Sequence, residues 1–249
     1  MDNNLFQPQQ GQQPFVGVAD ADTTRTFLAR VFTYMGLAML LSALAAWLFT
    51  QNPVLSDLVR VPGTKNHPTT LGFVLFFVPL ILVFAMSGMA QRLSSKGLLG
   101  LFVLYAVTTG ISLSSIFLVY KLPSILGVFL MSALVFAVMA IAGYTTKTDL
   151  TKLRSILMIG LITIIIGGLL NAFLIQSTGL GFLLDMICVV VFTGLIAYRV
   201  QNLKEMAAYT VNGTEVMQKM ALMGALGLYI SFLNLFLTLL RLFGGNRRN

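Results

Sequence analysis

Few residues in this chain can do chemistry, and the most constrained of them are Asp185 and Arg199. They lie 14 residues apart in and at the end of one apolar run. On a helix that spacing is ~21 Å of rise, with the two side chains within ~40° of each other around the axis. So short a separation does not let both charges reach water across a hydrocarbon core of ~30 Å without help. Either the longer side chain snorkels to the surface, or one charge lines a wet cavity. Asp149 and Glu205 are candidate partners for Arg199. Asp185, near the start of its run, reads best as an interfacial residue favoured by the helix dipole. A cation site is the alternative.

The other reactive types are sparse. The single histidine, His67, sits in a polar stretch beside Lys65, Asn66 and Pro68. One histidine cannot build a multi-histidine metal site. No His-Glu-x-x-His occurs, and the last apolar run holds no lysine for a Schiff base. The lone cysteine, Cys188, excludes an internal disulfide and lies where packing is its ordinary role. Neither an enzyme nor a cofactor or metal centre is expected.

Hydroxyl, amide and glycine residues recur at helical spacing within the apolar runs. In the last run they are Gly224, Gly227, Ser231, Asn234, Thr238 and Arg241, one face of a helix. A second seam holds Tyr105, Thr108, Ser112 and Ser115, with Thr109 beside it. A third holds Gly160, Thr163, Gly167 and Asn171. The plain reading is close helix packing, with hydroxyls bonded to backbone. The functional reading is a polar cavity or ion path between the third, fifth, sixth and seventh spans. Its candidate lining is Asp185, Asn171, Asn234, Thr238, Ser112 and Ser115.

The elements that position these residues follow from composition. Of the 249 residues 57% are hydrophobic and 10% charged. Soluble domains carry roughly 25% charge. The mean hydropathy of +0.88 makes lipid the natural solvent. The net charge of +8 comes from residues in the gaps between apolar runs, as at membrane surfaces, so nucleic acid is not an expected partner. Charge-free stretches cover 31–56, 68–91, 97–120, 122–146, 155–184 and 220–240. The fifth is too long for one crossing and is broken at Gln176-Ser177-Thr178-Gly179-Leu180-Gly181, after which a further apolar run, Phe182–Tyr198, follows.

The expected fold is all-α and polytopic, with spans near 29–50, 70–91, 97–119, 124–144, 155–175, 181–200 and 219–241. Residues 1–27 read as a disordered Gln/Pro-rich tail without signal-peptide character, 28–243 as the bundle, and 244–249 as a basic tail. The longest loops are expected at 51–69 and 201–218. On the N-terminal side fall Arg25, Arg30, Arg92, Lys96, Lys147, Lys152, Arg154, Arg199, Lys204 and Lys219. The other side has Arg60, Lys65, Lys121, Arg241, Arg247 and Arg248. That excess places the N-terminus in the cytoplasm.

Three stretches carry a resemblance. Gly143-Tyr144-Thr145-Thr146-Lys147-Thr148-Asp149-Leu150, Phe192-Thr193-Gly194-Leu195-Ile196-Ala197-Tyr198, and Leu228-Tyr229-Ile230-Ser231-Phe232-Leu233-Asn234-Leu235-Phe236 resemble the Bax inhibitor-1 family, the transmembrane Bax-inhibitor-motif proteins. The likeness runs from about Thr26 to near the end and is closest to bacterial inner-membrane members. It implies seven helices with the last one central, and a pH-sensitive calcium leak. It also implies a latch of two aspartates, one ending the sixth span and one inside the seventh. Here those positions read Arg199 and Ser231. Two carboxyls share a proton and titrate near neutrality; arginine and serine do not. The resemblance therefore implies either an ion leak, of calcium or another small ion, or an ungated relative of one. The alternative is a non-conducting regulator of a membrane protein partner such as a membrane-anchored protease.

Overall fold

The computed structural model describes residues 21–59, 69–209 and 213–245. The expected disordered tail before residue 21, the loop with Arg60, Lys65 and His67, and the basic end with Arg247 and Arg248 lie outside the described residues.

The helices are α1 (Ala21–Gln51), α2 (Pro53–Val59), α3 (Thr70–Met89), α4 (Ser95–Leu113), α5 (Ile116–Val119), α6 (Leu122–Thr145), α7 (Thr151–Leu170), α8 (Thr178–Ala207) and α9 (Glu215–Phe243). A π-helical turn, Asn171–Ile175, ends α7. Several starts are fixed by hydroxyl caps that satisfy an otherwise unpaired amide: Thr69 for Gly72, Ser94 for Gly97, Ser177 for Leu180 and Thr214 for Met217. Among the described residues seven helical segments are long and apolar enough to cross a membrane.

Their ends differ from the hydropathy boundaries. The first begins before the expected tail ends, with Phe27 already fully buried. The sixth continues to Ala207 and the seventh starts at Glu215, so most of the expected loop 201–218 is helix. Part of the expected loop 51–69 is α2. The cause is common: a helix need not stop where the hydrocarbon does. A 30-residue helix such as α8 is ~45 Å long, so its final turns carry Lys204 and Glu205 beyond an apolar core of ~30 Å.

The last helix is the most buried of the seven: 61% of its apolar window is covered, against 6% for Thr151–Ile175. It packs on α1, α4, α6 and α8, while α3 and α7 lie outside on α4 and α8. On α7 the side chains of Ile159, Ile162 and Ile166 stay exposed, as a lipid-facing helix allows. Phe232 of α9 is buried, edge-on to Phe129 and Phe136 and stacked with Phe236. Glycines let backbones touch at two crossings. A Cβ on Gly110 would collide with the Ser42 carbonyl of α1, and one on Gly143 with the Ala197 carbonyl of α8.

Candidate functional site

The seam between α8 and α9 carries Asp185, Arg199 and Arg241. The helices run antiparallel, so residue numbers rise on one as they fall on the other. Asp185 meets Arg241, Cys188 meets Thr238, Arg199 meets Gly227 and Leu203 meets Gly224. Steps of three or four along each helix keep this series on one face.

At one end, Arg241 donates to Asp185 Oδ1 from Nε at 3.0 Å and from Nη2 at 2.6 Å. Nη2 also donates to Thr238 Oγ1 at 3.2 Å. That leaves the threonine proton free to point at Cys188 Sγ, 3.1 Å away. The Asp185 side chain is 19% exposed and that of Arg241 52%. Asp185 thus has an ion-pair partner of its own, 56 residues along the chain.

At the other end Arg199 lies with Nη1 against Gly227, where any Cβ would overlap it. Its Nε is buried without a hydrogen-bond partner. Neither candidate partner reaches it. Asp149 instead accepts from the Thr151 hydroxyl and, at 2.8 Å, from the Thr151 amide. These bonds, the hydroxyl first, hold its carboxyl below the ordinary value of 3.8. Glu205 is exposed on the last turns of α8. The reason is geometric: Asp149 turns inward on its own loop, and Glu205 leaves the helix on another face.

Ser231 is fully buried and donates to the Gly227 carbonyl at 3.1 Å. The two positions singled out by the resemblance therefore converge on Gly227, Arg199 from across the seam and Ser231 from one turn along α9. No carboxylate stands between them among the described residues.

The remaining candidates are spread out rather than gathered. Asn171 closes the turn into α8, donating to the Ser177 carbonyl at 3.1 Å and accepting from its amide at 2.9 Å. Asn234 donates to the Ile230 carbonyl of its own helix. Ser112 donates to Thr108 of its own helix at 3.1 Å and lies 3.4 Å from the Leu75 carbonyl of α3. Ser115 is exposed and donates to the Ser112 carbonyl where α4 breaks into α5. Thr238 alone joins Asp185 in one cluster. Among the described residues no three His, Cys, Asp or Glu side chains lie close enough to hold a metal ion.

Two polar junctions were missed by periodicity. Ser42 of α1 donates to the Ala106 carbonyl of α4 at 2.6 Å, which leaves the Tyr229 hydroxyl to donate to Ser42 Oγ at 2.6 Å. Tyr105 packs edge-on to Tyr229. A lone serine in the first apolar run was the one available sign. Gln201, fully within α8, accepts from the Leu150 amide and donates to the Thr148 carbonyl, both at 2.8 Å. It clamps the loop after α6, and its place one turn beyond Ala197 could have suggested this.

Comparison with known proteins agrees with the seven-helix architecture. The chain matches the family described as Inhibitor of apoptosis-promoting Bax1 over residues 24–248. It is 42% identical over 223 residues to a protein of Borreliella burgdorferi, covering 90% of this chain and 93% of that one. It is 36% identical over 246 residues to inner membrane protein YbhL of Escherichia coli, covering 98% and 97%. A membrane protein of Streptococcus pyogenes is 34% identical over 220 residues, covering 88% and 93%. With the family matched along nearly its whole length and its relatives spanned end to end, the chain is a membrane protein of the Bax inhibitor-1 family.

Proposed function

We propose that this protein is a leak-type Bax inhibitor-1 protein that has lost its pH latch, an ungated relative of a calcium leak. The observation that carries this reading is the junction at Gly227. A guanidinium and a hydroxyl meet there, where the resemblance places two carboxyls. Two carboxyls close together there would share a proton, and protonation near neutrality would bias open against closed. Arginine and serine keep one charge state through that range. The fixed positive charge also repels a divalent cation approaching the seam. The N-terminus lies on the cytoplasmic side, as the lysine and arginine excess argues. No catalytic step is part of the proposal.

The test is calcium flux into liposomes at pH 6 and pH 8, comparing the natural chain with a double variant, Arg199→Asp with Ser231→Asp. A leak that depends on pH only in the double variant supports the reading. A natural chain that already leaks calcium with such a dependence overturns it.

A second reading, a non-conducting regulator that docks on a membrane protein partner, is favoured by one feature. The Gln201-clamped loop leaves Lys147, Lys152 and Arg154 exposed beside one end of the bundle. Such a fixed basic surface suits an acidic partner. Loss of function on neutralising these three, with flux unchanged, would favour it.

A further inference from the structure

The two arginines of the α8–α9 seam are not equivalent. Arg241 is half exposed and has a carboxylate. Arg199 is more deeply placed and has none. Its Nε is buried without a partner, and it forms no ion pair or hydrogen bond with any described residue. The described acids are accounted for elsewhere. Asp185 holds Arg241, Asp149 holds Thr151, and Glu215 sits between Lys219 and the Ser95 amide. Asp22, Asp57 and Glu205 are exposed.

Arginine stays charged in any protein environment. It cannot escape an apolar site by giving up its proton, as a lysine can. A half-buried guanidinium with no acid beside it among the described residues is open to a neutralising group from outside them. Nε is buried without a partner, neither terminal amino group is both buried and unpartnered, and the residue as a whole is half-buried. Two parallel N–H groups at that edge match the two oxygens of a carboxylate or phosphate. The site also lies near a polar end: α8 runs eight residues past Arg199, to Ala207, which is ~12 Å. Lys204 on those turns does not compete, since its ammonium donates to the Tyr144 carbonyl at 2.8 Å and sits over that ring.

We infer that the terminal edge of Arg199 is an oxyanion-binding site, taking one carboxylate or phosphate group at the α8–α9 seam beside Gly227. The inference rests on the surroundings of Arg199 and stands whether or not the protein conducts calcium. The group comes either from solution or from a lipid headgroup.

The experiment uses the purified full chain in phosphatidylcholine nanodiscs. The thermal midpoint is followed while phosphate or acetate replaces chloride at constant ionic strength. A separate arm uses discs containing phosphatidylglycerol with no added oxyanion. The natural chain should show a saturable rise, about 5 °C once the ligand is in large excess over its Kd. The rise should vanish in Arg199→Gln and persist in part in Arg199→Lys, which keeps the charge but loses the fork. A rise with soluble oxyanions identifies a free anion; a rise in the phosphatidylglycerol arm alone identifies a headgroup. Because each variant is compared with itself across arms, a change in its baseline stability does not blur the result. Equal responses in the natural chain and Arg199→Gln, or none in either, would overturn the inference. Calcium flux measured in liposomes of the same lipid compositions separates this result from the latch reading.

Discussion

Arg241 and Arg199 sit on the same pair of helices, at opposite ends of one seam, and differ in company. Arg241 is fastened to Asp185 and Thr238. Arg199 rests on a bare glycine with its Nε unsatisfied. The first ties α8 to α9; the second contributes no such tie. What separates them is the residue opposite: the antiparallel register brings an acid to one arginine and Gly227 to the other. A charge in a membrane bundle is structural when its partner is built into the neighbouring helix, and available when it is not.

The strongest way to sharpen the contrast is to place the same methyl group on two glycines that α8 touches. Gly143→Ala sets a Cβ against the Ala197 carbonyl, which belongs to a rigid helix backbone. Overpacking of that kind should cost about 3 kcal/mol, measured as the unfolding free energy in detergent. Gly227→Ala sets a Cβ against the tip of a flexible side chain and should cost well under about 1 kcal/mol. Equal losses would mean that Arg199 is wedged in place.

A smaller effect separates the arginines directly. Arg241→Leu leaves the mostly covered Asp185 carboxylate unpaired. The expected loss is about 2 kcal/mol, below that of a fully buried pair because the guanidinium is half exposed. Arg199→Leu orphans no acid, and without oxyanions present should leave stability unchanged or raise it by about 1 kcal/mol. Unfolding of both variants in chloride buffer checks this; a larger loss at Arg199 than at Arg241 would break the comparison.

The smallest effect lies on the loop clamped by Gln201. Asp149 has its carboxyl pKa depressed by Thr151, so its contribution to stability is complete above the ordinary value of 3.8 and fades as pH falls through the lower, folded value. Asp149→Asn should lower stability slightly in the neutral region and leave it unchanged below the folded value, so that the acid limb of the stability–pH profile flattens.

Much of the fold was legible because the membrane reads chains by hydropathy. The expected break at Gln176–Gly181 contains the real one, since α8 begins at Thr178 and Gln176 adopts the left-handed conformation before it. The helix ends were not legible, since polar turns beyond the hydrocarbon are invisible to an apolar pattern. Within the seams, spacing identified faces but not neighbours. Asn171 shares a periodic stripe with Thr163, yet its side chain closes a turn. Ser112 and Ser115 share a stripe too, but α4 breaks between them and they end among backbone carbonyls. Ser42, off every stripe, joins three helices.

By itself the sequence determined that the chain holds seven stretches long and apolar enough to cross a membrane, and that an arginine and a serine occupy the two positions where the resemblance implies acids. Those are properties of local composition and of residue identity, which a linear string contains in full. Tertiary structure alone decided that Asp185 belongs to Arg241 and that Arg199 pairs with no acid among the described residues. The partners in such pairs lie far apart along the chain, and only the antiparallel register of α8 on α9 says which side chains face each other.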